Sequence, residues 1–438
     1  MKRLMLSLFV AGSVYSNIFA QFFAYGSVSY GYNQNPLYNY QNQGDQLKQT
    51  YLELNYMKDY DNSQLKFSYV SGLVLFNSFA DRNYYEHNLF SRYSISFVKD
   101  KPQNEVKLIN DENSEGVDEN QTDQDSVRTI QAEDEEELAS DDSTNSSLDL
   151  MAKVGARHDK ELFKEFDNFG TNFLASYKFL ASDAFTLRLT NDFGLRNYTY
   201  ISELSNLTDI FTLQAANKFN GSYSFGVRLS AAYKYYTSTV YDTSKFETER
   251  TYKKKTGKGK GGAVVTVPSG KQILLQPQSN GTSQLTAGLF FIKSFVNSSM
   301  EVNLLYRYNP NTQTRYYAQQ TNAGINEDIY NDFFSYQGYE TGIKYNRQLF
   351  FGIQMSADIN ITKKNFEAPA LDLNGAQTDL HRNDLNMSVD LFVSRSINIY
   401  RNFSVDLICG AGIVRNQSND SYNDFSSYSV SGGIGIGL

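Results

Sequence analysis

The sequence predicts an all-β protein, a transmembrane antiparallel up-and-down β-barrel of about sixteen strands. Alternation of apolar and polar residues with a period of two recurs along the chain, which is typical of strands with one apolar and one polar face. Several runs approach the ten residues that a tilted strand needs to cross a bilayer. Short turns alternate with long polar segments, as expected when the two ends of the strands lie on opposite sides of a membrane.

The clearest alternation runs from Phe351 to Thr362, where residues such as Ile359 alternate with residues such as Asp358. This run is expected to follow a short turn at Asn346-Arg347. Similar runs cover 385–394 and 223–235. An even number of strands requires one more strand after the long acidic insert, and 148–156 supplies it.

The composition agrees with long strands in a membrane. The chain has 33 Tyr and 31 Phe but only 6 Pro, and aromatic residues suit both strands and the interfacial girdles of barrels. The mean hydropathy is −0.48, and no later stretch offers the roughly twenty apolar residues of a membrane helix. Six tyrosines are expected at outer strand ends, in an aromatic girdle: Tyr198, Tyr200, Tyr235, Tyr236, Tyr306 and Tyr308.

The first twenty residues predict a secretory signal peptide, which leaves 21–438 as the barrel. Lys2 and Arg3 precede a mostly apolar stretch from Leu4 to Val14, and Ala20 is a small residue at the expected cleavage site. The apolar part is too short for a spanning helix. The alternative is a buried N-terminal element.

An acidic insert occupies residues 100–147. From Asp100 to Asp149 there are seventeen acidic and three basic residues, a net charge of −14, so the rest of the −8 chain carries +6. High charge with few apolar residues predicts a disordered segment, and strand parity predicts a periplasmic position. It is a candidate docking site for a periplasmic partner. Calcium binding by Glu133–Glu137 is an alternative, although nothing there resembles an EF-hand loop.

A second insert, residues 237–281, predicts an extracellular loop that contains a hairpin around Pro268-Ser269-Gly270. Its lysines lie among glycines but lack the order of a phosphate-binding loop. Clustered lysines attract phosphates, so contact with lipopolysaccharide headgroups is one hypothesis and a merely solvated loop is the other. These lysines are Lys253, Lys254, Lys255, Lys258 and Lys260.

If the apolar residues face lipid, the alternate residues line the lumen. Basic residues on middle strands then face acidic residues on late strands and on an early strand beside them, and such walls of charge set ion and solute selectivity. The alternative is that these side chains pair and fill the lumen. The basic candidates are Lys178, Arg188, Arg228, Lys234, Arg307 and Lys344, and the acidic ones are Glu53, Glu340, Asp358, Asp390 and Asp406.

The sequence predicts no enzyme, cofactor or metal site. Three histidines, His87, His158 and His381, fall near extracellular loops, and Asp384 follows His381 closely. A rim hydrolase with a histidine base is the catalytic alternative, but histidines beside acids are common in polar loops. The single Cys409 lies on an apolar face and excludes a disulfide framework.

The layout resembles bacterial outer-membrane β-barrel proteins, particularly porin-like ones, over nearly the whole mature chain. The last strand, with Tyr428, Val430, Ile434, Ile436 and Leu438, looks like the C-terminal assembly signal of such barrels, although it ends on leucine.

The resemblance implies a Gram-negative outer membrane, contact with its lipid and lipopolysaccharide, and assembly by the barrel-insertion machinery. It implies no nucleic acid. The function expected is a passive channel for small polar solutes or ions. The alternative is a non-conducting barrel that serves binding, adhesion or envelope assembly; a soluble β-sandwich is the alternative fold. The oligomeric state stays open.

Overall fold

The computed structural model describes a large part of the chain. The expected signal peptide lies outside the described residues except for Ala20, and the acidic insert lies outside them except for its last two residues. The described residues are 20–35, 44–97, 146–160, 164, 167–182, 184–200, 202–219, 222–239, 241–242, 247–256, 263–273, 276–277, 280–310, 333–372, 377–400 and 403–438.

Twenty strands occur within these ranges, with single turns of 3-10 helix at Ala80–Arg82, Ser202–Leu204, Phe333–Ser335 and Phe350–Gly352. The strands are β1 Ala20–Asn33, β2 Asp45–Asp59, β3 Ser63–Phe76, β4 Tyr84–Phe97, β5 Ser146–Asp159, β6 Asn168–Leu180, β7 Phe185–Tyr198, β8 Asn206–Phe219, β9 Tyr223–Tyr236, β10 Tyr241–Asp242, β11 Glu247–Thr256, β12 Ala263–Ile273, β13 Gln276–Pro277, β14 Gly281–Phe295, β15 Ser298–Tyr308, β16 Gln337–Gln348, β17 Ile353–Leu371, β18 Gln377–Tyr400, β19 Phe403–Ser418 and β20 Phe425–Gly437.

Sixteen of these strands form one closed antiparallel barrel, which confirms the predicted fold class and strand number. The barrel runs in chain order from β1 to β9 and from β14 to β20. It closes where β1 pairs with β20, with Val28 opposite Ile434. Closure pairs the edges that an open sheet would leave exposed.

The two faces of the barrel wall differ as the alternation predicts. On the outward face large apolar side chains are exposed, for example Val28 at 60%, Leu229 at 51% and Ile434 at 55%. Polar residues such as Ser176 and Thr362 are buried on the inward face. A continuous exposed apolar surface is stable only in lipid, and a closed barrel satisfies its backbone hydrogen bonds there. The chain is therefore a transmembrane β-barrel of the outer-membrane type. No helix in the described part of the chain is long and apolar enough to span a membrane.

The turn between β16 and β17 corrects one prediction. The expected turn at Asn346-Arg347 is part of β16, which pairs with β17 as far as Gln348. The chain instead reverses at Phe350–Gly352, where Phe351 has a φ of 60° and Gly352 a φ of 68°. Both values lie in the left-handed region that strands exclude. Phe351 therefore belongs to the turn, although its apolar side chain continues the alternation of β17.

The long loop between β9 and β14 contains a hairpin, but not the expected one, because the residues on both sides of Pro268-Ser269-Gly270 belong to the single strand β12. Backbone pairing joins β11 to β12 and β10 to β13 outside the barrel. Pro268 lies inside β12, opposite Thr251 at a register irregularity, where a residue without an N–H is tolerated. The hairpin therefore does not turn at Pro268-Ser269-Gly270, and the chain reverses between Thr256 and Ala263.

The tyrosines at the outer strand ends do not all belong to a girdle. Tyr235, Tyr306 and Tyr308 are exposed on the outward face at 40 to 45%. Tyr198 and Tyr236 end their strands on the inward face and are buried. The clustering of tyrosines in the sequence did not distinguish the two groups, because it does not show which face the last residue of each strand occupies.

Candidate functional site

The inward face of the barrel is the candidate functional site. The strand register places all eleven residues predicted to line the lumen at inward-facing positions, although their role in selectivity stays a prediction. These residues are Lys178, Arg188, Arg228, Lys234, Arg307, Lys344, Glu53, Glu340, Asp358, Asp390 and Asp406.

Four inward residues, three of them basic, lie in one line across β6 to β9, and we call this line the basic row. Lys178 lies directly opposite Arg188, Arg188 opposite Gln214, and Gln214 opposite Arg228. Lys178, Arg188 and Gln214 are 5%, 4% and 3% exposed. Strand pairing thus gathers three cations from three strands into one line, with an amide between two of them.

A row of hydroxyl groups lies two residues along each strand from the basic row. Ser176, Thr190, Thr212 and Ser230 face one another in the same order on β6 to β9. The Ser176 and Thr190 hydroxyl oxygens are 3.1 Å apart, and those of Thr212 and Ser230 are 2.9 Å apart. This part of the wall therefore carries cationic and neutral hydrogen-bond donors side by side.

The other side of the interior carries a row of mixed and mainly acidic charge. Glu301 on β15 faces Lys344 on β16, Lys344 faces Asp358 on β17, and Asp358 faces Asp390 on β18. The Asn360 amide donates a 2.8 Å hydrogen bond to Asp358. The predicted separation of basic and acidic walls is therefore incomplete, since Lys344 lies within the acidic wall.

One predicted basic residue and one predicted acidic residue form an ion pair. The Arg307 guanidinium lies 3.0 Å from the Glu340 carboxylate, and both side chains are largely buried. Arg307 also donates a 3.3 Å hydrogen bond to the Gln284 side chain. At this point the lumen residues pair, as the alternative interpretation of these residues expects.

A short 3-10 turn, Phe333–Ser335, reaches the inner wall near the start of β8 and the end of β9. Phe334 is 2% exposed and packs with Ile210 of β8 and Ala232 of β9. The Lys234 ammonium lies 5.8 Å from the Phe334 ring centroid, and the Asn309 amide donates a 2.7 Å hydrogen bond to the Phe334 carbonyl. The chain ahead of β16 thus covers part of the inward face across several strands.

Glu53 on the early strand β2 is buried and accepts hydrogen bonds from its own strand. The Tyr51 hydroxyl donates at 2.8 Å and the Asn55 amide at 2.5 Å. Asp406, by contrast, lies opposite Ser396 and Gly435. Two residues predicted for the same acidic wall therefore have different surroundings.

Sequence reasoning missed several inward ion pairs that strand parity could have found, and two of them illustrate the point. Arg92 of β4 lies 3.0 Å from Asp149 of β5. Arg382 and Asp384 of β18 lie 2.5 Å apart and are almost fully buried. Both pairs occupy the polar phase of their strands, which is the signal that would have found them. The alternation identified the inward face of these strands, but these four residues were not among the predicted lumen residues.

The structure places His381 and Asp384, two residues of the catalytic alternative, on opposite faces of β18. His381 follows the outward phase of β18, and its ring nitrogen Nδ1 lies 2.6 Å from the Glu367 carbonyl oxygen. Asp384 lies on the inward phase, bound to Arg382. His87 and His158 also occupy outward positions on β4 and β5. No group of three or more His, Cys, Asp or Glu suited to a metal ion occurs among the described residues.

The side chains of Lys253, Lys254, Lys255, Lys258 and Lys260 lie outside the described part of the structure. Their contact with lipopolysaccharide stays a prediction.

The closed barrel, its apolar outer face and its charged interior define an outer-membrane β-barrel protein of the porin-like architectural class. No protein-family model and no curated protein matches the chain. Its fold is similar to that of OpdL from Pseudomonas aeruginosa, with 8% identity and a TM-score of 0.43 over 96% of this chain and 98% of that one.

Two further solved structures are similar over nearly the whole chain at equally low sequence identity. OccAB3 from Acinetobacter baumannii has 9% identity and a TM-score of 0.44, over 96% of this chain and 99% of that one. OmpT, an outer membrane protein of Vibrio cholerae, has 8% identity and a TM-score of 0.36 over the same shares. At such identities and scores the similarity concerns the fold alone.

Proposed function

We propose that the protein is a passive channel through which small polar solutes or ions cross the outer membrane. The observation that carries the proposal is the charged interior of a barrel of sixteen strands. A barrel of eight strands can be filled by its own side chains, whereas barrels of about this larger size leave an aqueous channel. Charged residues inside such a barrel stay solvated or paired and bias the passage of ions.

The charges are arranged so that a permeating ion meets both signs. The basic row lies on β6 to β9, and the row from Glu301 to Asp390 lies on β15 to β18. These strands are separated around the barrel by β14 on one side. The basic row attracts anions, and the row from Glu301 to Asp390 attracts cations. The ion selectivity of the channel therefore depends on which of the two rows borders the narrowest part of the lumen.

Planar-bilayer recording of the folded protein tests the proposal, with the reversal potential measured in a salt gradient. We expect stable open steps. Arg188→Ala should shift selectivity toward cations, and Asp390→Ala should shift it toward anions. Arg395→Gln is the matched control, because Arg395 is exposed on the outward face opposite Ile353 and Leu407.

A barrel that inserts but never opens would refute the channel. The alternative function would then be binding, adhesion or envelope assembly through the outer loop or the acidic insert. If open steps occur but neither inward substitution changes their ion selectivity, the protein is a channel whose selectivity the charged lining does not set.

A further inference from the structure

We propose that the protein associates with further copies of itself through its outward face, where Asp209 of one copy contacts His87 of the next. The two residues lie on β8 and β4, on a wall that presents largely apolar side chains to lipid. The proposal goes beyond the channel function and does not depend on it, because copies can associate whether or not the lumen conducts.

An acidic side chain on the outward face is the first observation. Asp209 lies opposite Phe193 on β7 and opposite Tyr233 on β9, which are 40% and 49% exposed. Asp209 is itself exposed, so its carboxylate faces the surroundings of the barrel. The other acidic residues of β1 to β9 lie on the inward phase: Asp45, Glu53, Asp59, Glu86, Asp149, Asp159 and Asp192.

Hydrocarbon cannot supply the partner that this carboxylate needs. The Asn191 amide donates a 2.7 Å hydrogen bond to Asp209, and Asn191 is near the middle of the 14 residues of β7. Charged side chains that face lipid destabilise a barrel, and ionisable groups within a membrane pair with a partner. The other outward neighbours of Asp209 carry no charge: Phe193, Leu195, Leu207, Phe211, Ala231, Tyr233 and Tyr235.

His87 on β4 offers the matching donor. The Tyr69 hydroxyl lies 2.7 Å from ring nitrogen Nδ1 of His87, and the two rings are stacked. When the hydroxyl donates to Nδ1, the neutral imidazole carries its hydrogen on Nε2. His87 is exposed, so Nε2 can donate to an acceptor on another copy.

The surroundings of His87 favour an acidic partner. Tyr85 packs against His87 and against His158 of β5, with ring centroids 5.5 and 5.1 Å apart. The Asp167 carboxylate lies 3.9 Å from His158, whereas the side chain bonded to His87 is a neutral phenol. Charge complementarity therefore pairs His87 with the carboxylate of Asp209.

The two residues lie at the same depth, as a contact between parallel copies requires. β4 and β8 run in the same direction, because three antiparallel strands lie between them. His87 follows Tyr84, the first residue of β4, by three positions, and Asp209 follows Asn206, the first residue of β8, by three. Each thus lies about 10 Å along its strand. A rotation about the membrane normal can bring one against the other.

The positions of β4 and β8 around the wall predict a closed ring. They are four strands apart in a barrel of sixteen, which is about 90° of the circumference. A contact between two different patches is heterologous, and it closes into a ring when the angle between the patches fits. Rings of three and four copies require about 60° and 90°, so we expect three or four barrels.

Light scattering of the full-length protein, folded in detergent, measures the assembly. We expect a mass of three or four chains. Asp209→Asn should weaken association about tenfold, the loss expected for one charge-assisted hydrogen bond. The variant should keep the circular dichroism spectrum of the barrel, which separates a lost contact from misfolding. Asp424→Asn is the matched control, because it removes an exposed carboxylate just before β20 and should leave the mass unchanged.

Disulfide cross-linking identifies the residues in contact. In a Cys409→Ala background, one chain carries Asp209→Cys and a second chain carries His87→Cys. Oxidation of the two folded together should join one chain of each kind, as mass spectrometry of the linked peptides would show. Leu304→Cys replaces His87→Cys in the control, because Leu304 is exposed on the outward face of β15, and it should form few links to Asp209→Cys.

A monomer at every protein concentration would leave this face to lipid or to a different protein, and it overturns the proposal. An assembly that keeps its mass in Asp209→Asn, or that links through Leu304→Cys as readily as through His87→Cys, associates by another face and overturns it too. These measurements require no current, so the association and the channel can fail separately.

Discussion

Asp358 of β17 and Asp390 of β18 lie directly opposite each other on the inward face of the barrel. Lys344 of β16 is the other cross-strand partner of Asp358, whereas Asp390 has Gly412 on its far side. The attraction of the lysine thus acts mainly on Asp358. Asp390 is the carboxylate whose charge this part of the wall compensates least.

Asp390→Asn should therefore stabilise the barrel. Removing one of two facing like charges is expected to raise the free energy of unfolding by up to about 1 kcal/mol. Urea unfolding in detergent measures it. The matched control is Asp406→Asn, because Asp406 faces Ser396 and Gly435 and no carboxylate. A stability gain of equal size in the control would show that general acidity, and not the facing pair, is responsible.

The Arg382–Asp384 pair should be important for stability. The two side chains are 5% and 1% exposed, and Asp384 also accepts a 2.6 Å hydrogen bond from Ser418. Asp384→Asn leaves a buried guanidinium without its countercharge, and we expect a loss of about 3–5 kcal/mol in the free energy of unfolding.

The exposed pair Arg415–Asp424 provides the comparison for that loss. Its side chains are 39% and 44% exposed, and exposed ion pairs contribute only about 0–1 kcal/mol. Asp424→Asn should therefore change the urea midpoint little. Similar losses for Asp384→Asn and Asp424→Asn would contradict the assignment of the first pair to a buried network.

Phe334→Ala should loosen the turn that packs against the inner wall. Deleting a buried aromatic ring removes its contacts with Ile210 and Ala232, at a cost of about 3–5 kcal/mol. Because the turn lies on the inward face, we also expect a larger single-channel conductance or more frequent current fluctuations. Phe350→Ala, at an exposed position in the turn before β17, should alter neither conductance nor stability. Unchanged current in Phe334→Ala would place the turn away from the conduction path.

Gly338→Ala should disturb the pairing of β16 with β17. A Cβ atom at Gly338 would overlap the backbone carbonyl oxygen of Lys363, and a backbone atom cannot rotate away as a side chain can. We expect about 1–3 kcal/mol of destabilisation, measured as a lower urea midpoint. At Gly72 a Cβ would meet no atom of the described residues within 4 Å apart from its two chain neighbours, so Gly72→Ala should be tolerated. Equal effects of the two changes would indicate a general cost of alanine in these strands.

Local pattern predicted most of the secondary structure and erred where the backbone changed conformation. Phe351 continues the apolar alternation of β17, yet its φ of 60° places it in a turn. Pro268 suggested a turn because proline usually interrupts strands, but a register irregularity accommodates it within β12. The composition does not reveal the turn at Phe351 or the strand position of Pro268, because both depend on how the neighbouring strand is aligned.

The sequence by itself determined which face of the wall each strand residue occupies, because side chains alternate strictly along a strand and only one face can meet lipid. It also determined the even number of strands. Only the tertiary structure decided which residues meet across strands: Arg188 beside Lys178, Asp358 opposite Asp390, and Arg307 paired with Glu340. The physical reason is that register depends on the stagger needed to close all sixteen strands, which no single strand encodes.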